Sequence, residues 1–184
     1  MNTGSKLRLE TDRLRLEAFT MDDLPALWDI FRDEQAMEHM APMTREGTQA
    51  LLRTFCVERT PPGAFAARLR AGGGLAGWLL FNQVDAPGIY ELGWVLRRDC
   101  WGKGLAREAS LALLRHAFTA LDAHKVVAQT EDIRRAVPLL EGLGMVREGV
   151  FRRHSPGRDG AWKDIFWYGL LREEYVNGNH GTDS

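Results

Sequence analysis

The 184-residue chain carries a net charge of −1, and 45% of its residues are hydrophobic against 27% charged. That length suits one domain with a self-sufficient core, and the near-neutral balance gives no electrostatic reason to expect a nucleic-acid partner. Cys56 and Cys100 make no CxxC pair, residues 1–16 carry charges every few positions, and no apolar run could span a bilayer. A disulfide framework, an ordinary signal peptide and a membrane anchor are therefore set aside, and a reduced, cytoplasmic protein is expected.

Residues 14–19 alternate apolar and polar and read as a first strand. Thr20 with Asp23 resembles a capping box, opening a helix through Leu24, Leu27, Trp28 and Phe31. Thr44 suits the cap of a second helix carried by Leu51, Leu52 and Phe55. Phe65, Ala67 and Leu69 alternate toward the turn Gly72-Gly73-Gly74, and residues 75–84 supply the partner strand of a hairpin. A second turn, Asp85-Ala86-Pro87-Gly88, leads into a strand over Ile89–Leu96. Residues 105–121 form the longest helical pattern, and Lys125–Thr130 is short and apolar, as a buried strand should be. Residues 137–143 read as a helix closed by Gly144. Two strands follow, over 146–153 and Trp162–Leu171, joined by the turn at residues 155–160. The single domain covers residues 1–175 and leaves 176–184 as a polar, frayed tail. The order β-α-α-β-β-β-α-β-α-β-β predicts an α/β fold, a mixed sheet with helices on its faces, antiparallel first and parallel around the glycine turn.

That glycine turn is the most informative feature. The strand containing Glu91-Leu92-Gly93-Trp94-Val95-Leu96 runs on to Trp101-Gly102-Lys103-Gly104-Leu105-Ala106, and a helix opens at once. The first N–H groups of a helix lack intrahelical partners, its dipole adds positive charge, and glycine admits an anion close to the main chain. A phosphate or pyrophosphate fits such a turn. A P-loop is excluded because Lys103 lies between the glycines and Leu105 occupies the place of the Mg²⁺-binding hydroxyl. A dinucleotide fingerprint fails because the third glycine position, counted from Gly102, is Arg107. Taken alone, the two glycines read equally as a tight strand-to-helix connection. His39, His116, His124, His154 and His180 show no ligand spacing, so no metal site is expected.

The whole block resembles the GNAT superfamily of acyl-CoA-dependent N-acyltransferases, and within it the RimJ/RimL-type branch. The resemblance runs from Glu10-Thr11-Asp12-Arg13-Leu14-Arg15-Leu16 through Trp101-Gly102-Lys103-Gly104-Leu105-Ala106-Arg107-Glu108-Ala109 and Leu140-Glu141-Gly142-Leu143-Gly144-Met145 to Leu171-Arg172-Glu173-Glu174-Tyr175. It implies a GNAT-type twisted sheet whose two central parallel strands splay apart. It also implies acetyl-CoA as acyl donor, its pyrophosphate on the N–H groups of Gly102, Lys103, Gly104, Leu105 and Ala106. Gly104 and Ala106 fill the last slots of the family's [Q/R]-x-x-G-x-[G/A] pattern, with Trp101 in the Gln/Arg slot. Lys103 adds charge there or is simply solvated. The pantetheine arm pairs with main chain near Val95 and Leu96, one of whose N–H groups serves the oxyanion. Arg97 and Arg98 either meet the phosphates or lie in a solvated loop.

Glu91 occupies the strand slot where related enzymes carry a carboxylate that deprotonates the amine. Alternation places it with Ile89, Gly93 and Val95, opposite Tyr90, Leu92 and Trp94. Apolar neighbours would raise its pKa, which suits a base and a buried structural glutamate alike. Departures from the family pattern follow. Ile133 and Ala136 stand where an Asn and a Ser are usual, and Leu140 fills the slot of a tyrosine acid. Solvent then protonates the thiolate, or Cys100, Tyr90 or Ser155 substitutes, or the chain is a weakly active or non-catalytic CoA-binding protein. Pro138 is tolerated only in a first helical turn, so this helix should start late, near Val137, or kink. Residues 31–43 and 154–162 are expected as walls of the acceptor pocket. Asp33, Glu34, Glu38 and His39 favour a cationic amine there, and Arg152, Arg153 and Arg158 an anionic acceptor. The implied function is acetyl transfer to a primary amine, on a protein N-terminus or a small molecule, by direct attack. No nucleic acid or membrane partner is expected, and a homodimer is a family-level expectation.

Overall fold

The computed structural model describes residues 7–56 and 63–178. Its strands are β1 (Arg8–Glu10), β2 (Leu14–Glu17), β3 (Ala64–Leu69), β4 (Leu75–Gln83), β5 (Ile89–Leu96), β6 (Lys125–Thr130), β7 (Val146–Pro156) and β8 (Trp162–Leu171). Its helices are α1 (Leu24–Phe31), α2 (Arg45–Phe55), α3 (Leu105–Thr119), α4 (Ala136–Gly142) and α5 (Arg172–Asn177). The strands form one mixed sheet in the order β1-β2-β3-β4-β5-β6-β8-β7, parallel only at β5–β6.

Local chemistry accounts for most boundaries. The Thr44 hydroxyl accepts the Gly47 N–H at 3.1 Å and caps α2. At the start of α1, Asp23 accepts the Thr20 N–H at 2.9 Å, but residues 21–23 wind as a 3-10 turn before Pro25 enters the first α-helical turn. Gly72 and Gly73 turn the β3–β4 hairpin at positive φ, where a side chain would be strained. Gly144 follows α4 with φ of 81°.

Several boundaries differ from expectation, among them β7, which runs to Pro156 inside the segment read as a turn. The short edge strand β1, paired with β2, is almost entirely polar and has too few residues to show a period. Helix α5 takes in Val176 and Asn177, which the sequence reading assigns to the tail, while 179–184 lie outside the described residues. Helix α3 ends two residues early, where the Leu121 N–H folds back to the His116 carbonyl.

The two sheet faces bury different clusters. Tyr90, Leu92 and Leu96 of β5 pack with Leu105, Ala109 and Leu113 of α3 and with Leu140 of α4. On the other face Val95 joins Trp78, Leu27, Phe31 and Leu52 beneath α1 and α2. β5 pairs with β6 only through Ile89–Lys125, Tyr90–Val126 and Glu91–Val127. Beyond that point β5 keeps β4 as partner out to Leu96, while β6 stays with β8 out to Thr130. The two central parallel strands therefore part after Glu91, as expected, and open a wedge toward the start of α3.

Candidate active site

The glycine turn lies at the wide end of the wedge. A 3-10 turn over Arg98–Cys100 leads to Trp101, whose indole N–H donates to the Leu96 carbonyl at 2.8 Å and ties the turn to the end of β5. Gly102 and Gly104 have φ of 68° and 73°, and Gly104 is the N-cap of α3 with no side-chain cap. A Cβ on Gly102 would meet nothing, so glycine is needed there for backbone conformation rather than for space. The first α-helical hydrogen bond runs from the Glu108 N–H to the Gly104 carbonyl at 3.0 Å. The preceding N–H groups, through Leu105 and Ala106, lie in a left-handed turn at a helix N-terminus, which is a cradle for an anion.

Three arginines near this cradle are already partnered. Arg97 pairs with Asp99 at 2.6 Å. Arg98 pairs with Asp33 at 2.7 Å and donates to the Gln35 side-chain carbonyl at 2.6 Å. Burial works against ionisation of Asp33, but N–H bonds from Ala36 and Gln35 and the Arg98 guanidinium prevail and hold its pKa below the ordinary carboxylate value. From across the wedge Arg135 stacks over Trp101, 4.7 Å from the ring centroid, and pairs with Asp132 and Glu38 at 2.7 Å each.

At the apex, Glu91 sits opposite Asn82 on β4 and Val127 on β6, on the α1/α2 face. It is half-buried, and one carboxylate oxygen accepts from Gln129 Nε2 at 2.9 Å. The expected apolar surroundings are thus only partial, because the parting strands admit solvent and place an amide beside the carboxylate. Val95 and Leu96 are buried and have no β6 partner; Val95 turns its main chain toward β4, whereas Leu96 turns its own toward the wedge, where its carbonyl accepts the Trp101 indole N–H. Gly77 of β4 lies against them, where a Cβ would fall 2.4 Å from the Val95 carbonyl oxygen.

The unusual segment before α4 behaves as Pro138 requires. Residues 131–135 form a turn in which Asp132 accepts the N–H groups of Arg134 and Arg135 at 3.0 Å, and α4 begins only at Ala136. Pro138 falls in the first helical turn, where no intrahelical N–H bond is lost. Ile133 is 59% exposed, whereas Leu140 is fully buried in the α3-side core. Of the substitute acids, Tyr90 is buried and stacks on Phe81, and Cys100 is buried with its thiol pKa raised by that burial. Ser155 lies on β7 opposite Lys163.

Part of the acidic stretch is paired within the fold, and Arg158 is the expected wall arginine that reaches it. Besides the Asp33–Arg98 and Glu38–Arg135 pairs, Arg158 of the β7–β8 turn donates to the Glu34 carbonyl at 3.2 Å. His39 stands 2.9 Å from Glu131 and 3.3 Å from Asp132. The connection after α1 therefore bridges the end of β5, the start of α4 and the β7–β8 turn. Among the described residues no group of three or more His, Cys, Asp or Glu could hold a metal ion, and no helix is long and apolar enough to cross a membrane.

Sequence reasoning missed Gln129, Arg135 and the Arg13–Glu108 pair beside the turn, which is joined at 2.6 Å. A visible signal existed for Gln129, an amide following the apolar run Val126-Val127-Ala128 on the side that alternation assigns to Val127. Arg135 and Arg13 lie about 30 and 90 residues from the turn they touch, and no periodicity connects them.

Parted central strands, a doubly left-handed glycine turn and a carboxylate at the apex make one cleft, and its parts fall within the region of a recognised domain. A family model described as "Acetyltransferase (GNAT) domain" matches residues 13–146. The chain belongs to the GNAT acetyltransferase family. The uncharacterized N-acetyltransferase YnaD of Bacillus subtilis strain 168 is 28% identical over 173 residues, 92% of this chain and 99% of the relative. A GNAT-family acetyltransferase structure from Bacillus anthracis superposes with a TM-score of 0.82 at 25% identity, covering 91% of this chain and 99% of that one. Mycobacterium smegmatis RimJ, solved with CoA-disulfide, shares the fold at a TM-score of 0.73 and 20% identity, over 95% and 94% of the two chains. This GNAT protein is accordingly an acetyltransferase, and its family's acyl donor is acetyl-CoA.

Proposed function

We propose that this enzyme transfers the acetyl group of acetyl-CoA to a primary amine by direct attack, the donor lying along the β5–β6 wedge. The observation that carries the reading is the parting of β5 and β6 immediately after Glu91, in line with the left-handed turn at Gly102 and Gly104. Bound acetyl-CoA would supply the activated acetyl thioester. The chain's own parts divide the remaining work. The N–H groups from Gly102 to Ala106 hold the pyrophosphate, with Lys103 and Trp101 beside it. The main chain that β6 leaves uncovered at Leu96, with Val95 beside it, holds the pantetheine arm and offers an N–H to the oxygen on which charge develops. Arg97 reaches the phosphates only by leaving Asp99.

Glu91 acts as the base that accepts the amine proton. Its place at the apex, on the acceptor-wall face and in contact with solvent, supports that role. The thiolate takes its proton from solvent. Tyr90, Cys100 and Leu140 are all buried on the α3 face, and a thiolate whose parent thiol has a pKa of ~8.5 leaves readily without a dedicated acid. The acceptor is a protein N-terminal amine, as in the RimJ/RimL-type branch, or a small amine. The test is release of free thiol from acetyl-CoA across a panel of N-terminal peptides, amino acids and polyamines. Acceptor-dependent release supports the transferase. Slow release independent of acceptor favours a CoA-binding protein that does not transfer.

A further inference from the structure

The geometry points to Arg13 as a positioning residue for the phosphate-binding turn, acting through the Lys103 carbonyl. The inference rests on the proposed role of that turn. Two glycines at positive φ flank Lys103, so the peptide between Lys103 and Gly104 has little intrinsic preference against flipping. One side chain pins it. Arg13 Nη1 donates to the Lys103 carbonyl at 2.8 Å, and Arg13 Nη2 lies 3.6 Å from where a Gly104 Cβ would be. A peptide unit is planar and trans, so its C=O and N–H point in opposite directions. Holding the Lys103 carbonyl toward Arg13 therefore aims the Gly104 N–H away from Arg13. Arg13 stands at the β1–β2 end of the sheet, and the wedge lies beyond β5. The freed N–H is thus directed to the side where an anion would sit.

Arg13 is itself held on several sides. Its Nε donates to Glu108 Oε2 at 2.6 Å, and its own main-chain N–H to Glu108 Oε1 at 2.8 Å. The Thr11 hydroxyl donates to Glu108 Oε1 at 2.5 Å and accepts the Leu14 N–H at 2.9 Å. From the β3–β4 hairpin, the Arg70 N–H donates to the Arg13 carbonyl at 2.8 Å. Burial pushes the Glu108 pKa up, but the Thr11 and Arg13 bonds outweigh it and keep the carboxylate charged. Glu108 lies one turn into α3, so the brace joins the β1–β2 turn to both the helix and the loop that precedes it. The Thr11-Asp12-Arg13-Leu14 stretch thereby acquires a role in a turn 90 residues away.

The experiment compares dissociation constants for CoA and for pantetheine, which lacks the phosphates, on the wild type and on Arg13→Ala and Arg13→Lys. Wild type should prefer CoA. Arg13→Ala should weaken CoA about tenfold, the worth of one charge-assisted hydrogen bond, and leave pantetheine unchanged, so the preference collapses. Arg13→Lys, which keeps a charge but not the planar fork, should fall between and stands in if the alanine variant does not fold. An unaltered CoA-to-pantetheine ratio in both variants would overturn the positioning role, whether both affinities hold or fall together. Wild type that does not bind CoA would instead remove the reading of the turn itself.

Discussion

The two ends of the cleft are built from different materials. The proposed cofactor end is largely main chain: two left-handed glycines, the first turn of α3 and the end of β5 that β6 leaves uncovered. The proposed acceptor end is side chain: Glu91 with Gln129, and the acidic connection after α1, whose Asp33 and Glu38 pair with Arg98 and Arg135 beside the glycine turn. Main-chain recognition tolerates almost any side chain provided the glycines stay. A side-chain site changes character with each substitution. A family that keeps one donor and varies its acceptor is expected to divide its cleft this way.

The sharpest way to break that contrast is Glu91→Gln. Removing a general base should lower turnover by ~10²–10⁴-fold, while the dissociation constant for CoA stays put. Steady-state rates set beside calorimetric CoA binding would show both, and an unchanged rate would take Glu91 out of the mechanism. At the other end, Gly104→Val places a β-branched residue at φ of 73° and should weaken CoA ~100-fold through the loss of two N–H contacts to phosphate. Lys103→Ala, by contrast, should cost less than about threefold if the main chain dominates. A lysine effect as large as the glycine effect would reverse the assignment.

Smaller effects sharpen the picture. Leu140→Tyr restores a family tyrosine by name, but the side chain it replaces is fully buried. Denaturant unfolding should find the variant ~1–3 kcal/mol less stable through overpacking, with no gain in rate. A faster enzyme would mean that the position does reach the cleft. The Glu108 pKa is lower folded than unfolded. The stability it lends is therefore whole above the ordinary carboxylate range and drains away as pH falls through it. The gap between wild type and Glu108→Gln, at most about 1 kcal/mol because Arg13 is half exposed, should be flat near neutrality and close as the pH falls below the ordinary carboxylate range. A gap that widens on acidification would contradict the brace.

What was legible in the sequence follows the same division. The strand-turn-helix at Glu91 to Ala106, the hairpin glycines, the Thr44 cap and the late start of α4, two residues before Pro138, are each decided by residues adjacent in the chain. Local conformational rules reach that far. β1 escaped because three mostly polar residues carry no pattern, and α5 because its sequence blends into a polar tail. The acceptor end was ambiguous for another reason. The acidic stretch after α1 and the arginines of the β7–β8 turn read as competing clues, when across the fold Glu34 and Arg158 are in contact. That contact appears only once the chain is folded. Glu91 was placed on the correct face by alternation, but its Gln129 neighbour depends on where β5 and β6 part.

The central claim is that the wedge and the glycine turn together form a site for acetyl-CoA. Thermal unfolding of the full chain with saturating acetyl-CoA, beside NAD at the same concentration, tests it most directly. Acetyl-CoA at ~100 times its Kd should add about 2.7 kcal/mol to the apparent stability, and NAD should add nothing. An absent shift with acetyl-CoA, or an equal shift with NAD, would contradict the account.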